Sequence, residues 1–151
     1  MYKSILVPLD GSATSDRGLR AAIDLAAALK AKLVLMHVVD DFALLVEMSS
    51  SLNYQAMHHD LREYGHKILD QGRRVAAESG VKAELHLREA TQVRASDLIV
   101  EEAKKHGCDL IAMGTHGRRG FSRLALGSNA EGVMRNSPVP VLLVRHEDQK
   151  A

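Results

Sequence analysis

Residues 109–145, DLIAMGTHGRRGFSRLALGSNAEGVMRNSPVPVLLVR, contain the pattern on which the fold turns. They read as a buried strand, a glycine-punctuated loop, a short helix over about 129–136 and a second buried strand. Within them Gly114 and Gly117 are followed, after nine residues, by Gly127-Ser128, with Gly120 in between. Glycines let backbone N–H groups turn inward and approach an anion closely. A helix starting directly after Ser128 adds its dipole at the same spot. The expectation is a phosphate cradle. Ser128-Asn129-Ala130-Glu131 also fits a capping box, S-x-x-E, and the two readings are compatible. His116, Arg118, Arg119 and Arg123 are candidates to balance phosphate charge, or are solvated loop residues. The Walker A pattern and GxGxxG are both absent.

Upstream, the chain repeats one move. Ser4–Leu9, SILVPL, is a continuous apolar run, as in a strand buried on both faces of a parallel sheet. Asp10-Gly11-Ser12 supplies a turn, with Ser12 or Thr14 as helix cap. Over about 15–30, Leu19, Ala22, Ile23, Ala26 and Leu29 share one helical face. Lys32–Val39, KLVLMHVV, is a second buried strand. A long helix is expected over about 52–79, with Met57, Leu61, Tyr64, Ile68 and Val75 at three-, four- and seven-residue spacing. Gly65 and Gly72 interrupt it at about 1 kcal/mol each relative to alanine, so a bend or break is expected. Val81–Arg88 alternates as an edge or half-exposed strand should. Thr91 is the expected cap of a helix over about 93–106, closed by Gly107. Strands at Leu110–Met113 and Val139–Val144 complete the series.

Alternating apolar strands and helices specify an α/β doubly wound parallel sheet with helices on both faces. The expected organisation is one domain, 1–147, with a polar tail at 148–151. Ligands of such sheets lie beyond the carboxyl ends of the strands, where the strand order reverses. If the first and fourth strands are neighbours, Asp10 and the glycine loop face each other across one crevice. That pairing suits a nucleotide, with a carboxylate for ribose hydroxyls and N–H groups for phosphates.

Composition removes other classes. The 151 residues include 20 basic and 19 acidic side chains, a net charge of +1, so no global basic field favours nucleic acid. No apolar run approaches the roughly 18 residues of a membrane helix, and no secretory leader is evident, so a cytoplasmic protein without membrane insertion is expected. Cys108, the single cysteine, rules out an internal disulfide and a thiolate-rich zinc site, and reads as packing. His37 reads as a sheet histidine. His59, Glu63 and His66 share a helical face, which is either a solvated face or a metal-ligand arrangement. Phe42, Leu44, Leu45 and Met48 in the loop Asp40–Ser51 are available to cover a pocket or a partner.

The combination ILVPLDGS, DLIAMGTHGRRG and LALGSNAEGVMRNSPVPVLLVR, on this βαβαβ spacing, resembles the universal stress protein family along nearly the whole chain. G-x2-G-x9-G-[ST] is the element of that family's ATP-binding branch. The resemblance implies strand order 3-2-1-4-5 and ATP held with Mg2+ or Mn2+ through the phosphates. By match to the family's motifs, Asp10 holds the ribose. The backbone near Val38 or Val39, with Pro8, meets the adenine. Met113 and Gly114 line the ribose side, and Gly117, Gly127, Ser128 and Asn129 hold the phosphates. A homodimer through Val139–Val144 is implied too, together with a regulatory partner of unknown identity. Three functions follow for weighing. One is an ATP-holding regulatory protein. The second is a slow ATP hydrolase or a phosphoryl or nucleotidyl transferase, for which no catalytic constellation is recognisable. The third is a phosphoacceptor domain, disfavoured because Asp10 stands alone and Arg145 follows the last strand where a lysine is wanted.

Overall fold

The computed structural model describes residues 1–40, 52–116 and 126–145. Gly117, Gly120, Arg118, Arg119, Arg123, the residues Phe42, Leu44, Leu45 and Met48, and the tail from His146 lie outside the described residues. The elements are β1 (Ser4–Pro8), α1 (Ala13–Leu29), β2 (Lys32–Val39), α2 (Leu52–Glu78), β3 (Ala83–Glu89), α3 (Ala95–Lys105), β4 (Leu110–Gly114), α4 (Ser128–Asn136) and β5 (Val141–Val144). The five strands form one parallel sheet in the order β3-β2-β1-β4-β5, as the family resemblance implies.

Strand alternation sorts the core into two layers. Ile5, Val7, Leu33, Leu35, Leu110 and Ala112 face α1 and α2. Leu6, Val34, Met36, Ile111 and Met113 face the opposite way, packing with Leu98, Ile99, Ala103 of α3 and Ala130, Val133 of α4. The central strands β1, β2 and β4 are buried on both sides, which is why they read as unbroken apolar runs.

The long helix α2 runs continuously for 27 residues through Gly65 and Gly72, so neither glycine breaks it. Packing explains both. A Cβ at Gly65 would lie 2.6 Å from His37 Cδ2 and 2.7 Å from Leu87 Cδ1; one at Gly72 would lie 2.9 Å from Leu9 Cδ1. The glycines let the helix sit close on the sheet. Its inner stripe is accordingly Gly65, Leu69, Gly72 and Ala76, whereas Met57 and Tyr64 are exposed.

Strands β1, β3 and β4 end one residue away from the sequence expectation, and four other boundaries differ for a local reason. Val81 N–H donates to Ala76 O, closing the helix end, so β3 begins at Ala83. Ala90 N–H bonds Val39 O and Thr91 begins an exposed bend, so Arg94, without a side-chain cap bond, precedes α3 in place of Thr91. Gly127 is the N-cap of α4 and Ser128 its first helical residue, so the expected capping box does not form; Glu131 pairs with Arg135 at 2.8 Å. The last strand is Val141–Val144 and not Val139–Val144. Ser137 Oγ ties Val139 into a turn, donating to its carbonyl at 2.7 Å, and the prolines at 138 and 140 cannot donate to a ladder.

One polar group is sealed between β3 and α3. Glu102 is about 1 % exposed, takes a hydrogen bond from Arg88, and lies 2.9 Å from His106 Nε2. Burial opposes its ionisation, but the Arg88 bond and charge together with His106 outweigh it and hold the carboxyl below its ordinary value. A depressed carboxyl stabilises the fold fully above its unfolded pKa, near 4.3, and loses that contribution as pH falls through the folded value. Glu102→Gln should therefore cost about 2 kcal/mol at neutral pH, less than a fully buried pair because Arg88 is partly solvated. In urea titrations the gap to the wild type should narrow as pH falls below the ordinary carboxyl range and the depressed Glu102 takes up its proton; a gap that is constant with pH would refute the charge-based account.

Candidate functional site

The sheet reverses direction of winding between β1 and β4, and the loops after both strands leave from the same carboxyl edge. The β1 loop is tightly specified. Gly11 sits at φ +81°, a conformation that disfavours other residues, and a Cβ there would also lie 2.6 Å from the Tyr64 hydroxyl. Asp10 Oδ1 accepts the Ser12 N–H at 2.9 Å, Ser12 Oγ accepts the Ser15 N–H at 3.1 Å, and Ser15 Oγ accepts the Asp10 N–H at 3.2 Å. Ser12, rather than Thr14, is the cap of α1. This interlocked turn fixes where the Asp10 carboxylate stands. Ser15 was not singled out from the sequence; its spacing three residues after the cap was the available signal.

Across the switch point, Gly114 ends β4 and Thr115 follows, its N–H donating to Val144 O at 3.0 Å. Gly114 is required by packing. A Cβ there would stand 2.6 Å from Thr14 Cγ2 and 2.9 Å from Thr14 O, so the start of α1 lies directly against it. Thr115 and His116 share a hydrogen bond of 3.0 Å between Oγ1 and Nδ1.

The chain re-enters at Leu126, and Gly127 N–H donates to Thr115 O at 2.7 Å. That bond pins the start of α4 to the end of β4. It also commits the Gly127 N–H, so the donors left at this helix end are those of Ser128, Asn129 and Ala130, which as first-turn residues lack an intrahelical acceptor. Gly127 itself has an ordinary φ of −61°.

By strand alternation Pro8, Val38 and Met113 fall on the face covered by α3 and α4, at the carboxyl ends of three adjacent strands. Val39 falls on the other face, is 2 % exposed, and its carbonyl is taken by Ala90 N–H. Of the two alternatives at the end of β2, Val38 shares a face with Pro8 and Met113.

The remaining sequence candidates separate clearly. His37 is buried, with Nδ1 donating to Leu9 O at 2.7 Å and its ring edge-on to Tyr64. Cys108 is buried beside Ser4 Oγ, and burial pushes its thiol pKa up. His59, Glu63 and His66 are exposed on α2. A cavity of about 310 Å³ lies between α1 and α2, lined by Leu19, Arg20, Tyr64, Lys67 and Gln71 among others; it opens on the face away from Met113 and α4. Among the described residues no helix is long and apolar enough to cross a membrane.

Topology and loops define an open, doubly wound α/β domain with a β1/β4 switch point, the place where sheets of this class bind their ligands. Comparison with known proteins then narrows the class. The model of the universal stress protein family matches residues 1–145. The universal stress protein MJ0531 of Methanocaldococcus jannaschii is 37% identical over 145 residues, covering 96% of this chain and 83% of its own. Among solved structures, the universal stress protein UspA from Lactobacillus plantarum superposes with a TM-score of 0.81 at 25% identity, covering 95% of this chain and 98% of its own. A universal stress protein in complex with cAMP gives 0.68 at 25% identity, covering 95% and 97%. The chain belongs to the universal stress protein family.

Proposed function

We propose that this chain is an adenine-nucleotide-binding regulatory protein of the family's ATP-binding branch. It holds ATP, with Mg2+ or Mn2+ carried on the phosphates, and acts through a homodimer or a protein partner. The observation that carries this reading is the pairing of Asp10 with the start of α4 at one switch point. The donor set suits an anion: the N–H groups of Ser128, Asn129 and Ala130 combine with the positive end of a helix nine residues long. Asp10 supplies the opposite preference, an acceptor for ribose hydroxyls, from a turn that fixes its position. Pro8, Val38 and Met113 offer an apolar surface for the base, with Gly114 on the ribose side. Gly117 completes the phosphate set in the family motif. A relative's complex with cAMP supports an adenine nucleotide in this family.

Dimerisation is proposed through β5. This strand is an edge of the sheet, and Leu142 on it is 38 % exposed. An apolar edge is a liability unless covered, and a second copy covers it symmetrically.

Purified protein should release an adenine nucleotide on denaturation, identified by mass spectrometry, and nucleotide-free protein should bind ATP in preference to GTP and CTP. Equal affinity for the three triphosphates would remove the adenine assignment. Tighter binding of cAMP than of ATP would keep the crevice and replace the triphosphate. No binding of any of the four would overturn the reading.

A further inference from the structure

We propose that Glu84, His86 and His106 form a site for a divalent transition-metal ion of the zinc type, on the face of β3 beside the end of α3 and separate from the nucleotide crevice. One ligand atom from each of these residues lies within 4.8 Å of the other two, and this is the one such group among the described residues. Alternation along β3 puts Glu84 and His86 on the same face, two residues apart, while Leu85 and Leu87 turn to the core under α2. His106, the C-cap of α3, brings its ring to 4.0 Å from that of His86.

The observation that points to a ligand is at His86. Its Nε2 is buried and has no hydrogen-bond partner, with the nearest carboxylate oxygen, Glu84 Oε2, at 3.8 Å, beyond hydrogen-bond reach. A sheltered imidazole nitrogen ordinarily finds a partner. The surroundings are arranged as outer partners of a metal site are. His106 Nε2–H donates to the buried Glu102 carboxylate at 2.9 Å, which orients the ring and leaves the Nδ1 lone pair to coordinate. Glu102 is held in turn by Arg88. Glu84 gives Oε1 to Lys32 at 2.8 Å, so its Oε2 is the oxygen on the His86 side.

Two imidazoles and one carboxylate are the ligand set of three-residue zinc sites, in which a fourth position is left to water or a substrate. Tetrahedral coordination with bonds of about 2.0–2.1 Å needs ligand atoms roughly 3.3 Å apart. Glu84 is the exposed member and has the freedom to close that gap. The strand and the helix end hold the other two.

The test uses the full chain, stripped with chelator and kept free of nucleotide, with Zn2+ titrated against a chromophoric competitor and Co2+ absorbance reporting coordination. The wild type should bind one Zn2+ per chain, with a thermal midpoint raised by zinc and tetrahedral Co2+ bands. His86→Gln should lose more affinity than the roughly 10–100-fold typical of an outer-shell change, and should lose the Co2+ bands. The double variant His59→Ala/His66→Ala should bind as the wild type does. Should His86→Gln fail to fold by circular dichroism, Glu84→Gln, at an exposed position, gives the same readout. Absence of a one-to-one site in the wild type, retention of wild-type affinity in the folded variant, or loss confined to the His59/His66 variant would overturn the proposal.

Discussion

Gly114→Val should lower stability by about 3 kcal/mol, at the upper end of what overpacking costs. For a domain of this size that is a fall in melting temperature of about 6–12 °C. The penalty is purely steric. Gly114 lies in a β-strand without a positive φ, and valine is well suited to strand backbone. What forbids it is Thr14, whose Cγ2, carbonyl oxygen and carbonyl carbon would lie 2.6, 2.9 and 3.0 Å from the new Cβ. Two of those three atoms are backbone, so no rotamer change relieves the contact and α1 must move. Gly18→Ala is the graded comparison. Its Cβ would meet Gly114 N at 3.2 Å and Met113 C at 3.3 Å, which calls for a shift of a few tenths of an ångström and about 1 kcal/mol. Calorimetry on the pair should rank them in that order; a Gly114→Val protein that melts with the wild type would mean that α1 is not seated on β4 in this way.

Asp10→Asn should weaken ATP binding roughly 10–100-fold, the equivalent of one charge-assisted hydrogen bond of about 1.5–3 kcal/mol. Asparagine is the informative replacement because its carbonyl oxygen can still accept the Ser12 N–H, so the turn that Asp10 closes is kept. Alanine would remove the turn and the charge together. The loss should be confined to ligands with free ribose hydroxyls. Inorganic triphosphate, which has none, should bind both proteins alike in isothermal titration. An equal loss for both ligands would assign Asp10 to the loop's architecture and take it out of ribose recognition.

The differences between expectation and structure have a common origin. Periodicity reports which residues of an element are apolar, but not which neighbour they meet. Gly65 and Gly72 look like helix breakers by propensity, and their real role is set by His37, Leu87, Leu9 and Leu35 on the sheet. The Ser128–Glu131 spacing fits a capping box, yet the helix starts one residue earlier because Gly127 is anchored by Thr115. Gly114 reads in the sequence as a ligand-loop glycine, and the structure adds a packing demand that the sequence does not show, the close approach of Thr14. The Glu84/His86/His106 group was invisible for the same reason: its members are separated in sequence and meet only where the edge strand passes the end of α3.

By itself the sequence determined the elements, the doubly wound parallel class and the candidate loops, since 2.0 and 3.6 residue periods, buried apolar runs and turn residues are local properties of the chain. The strand order came from the resemblance of its motifs to a family, and the sheet bears it out. The stretch 109–145 was legible as strand, loop, helix and strand. Only the tertiary structure decided which of its backbone donors are already spent, that Val38 and not Val39 faces the Met113 side, and that a histidine pair stacks beside a buried glutamate. Those outcomes depend on which faces meet across the sheet, and long-range packing, not local pattern, selects them.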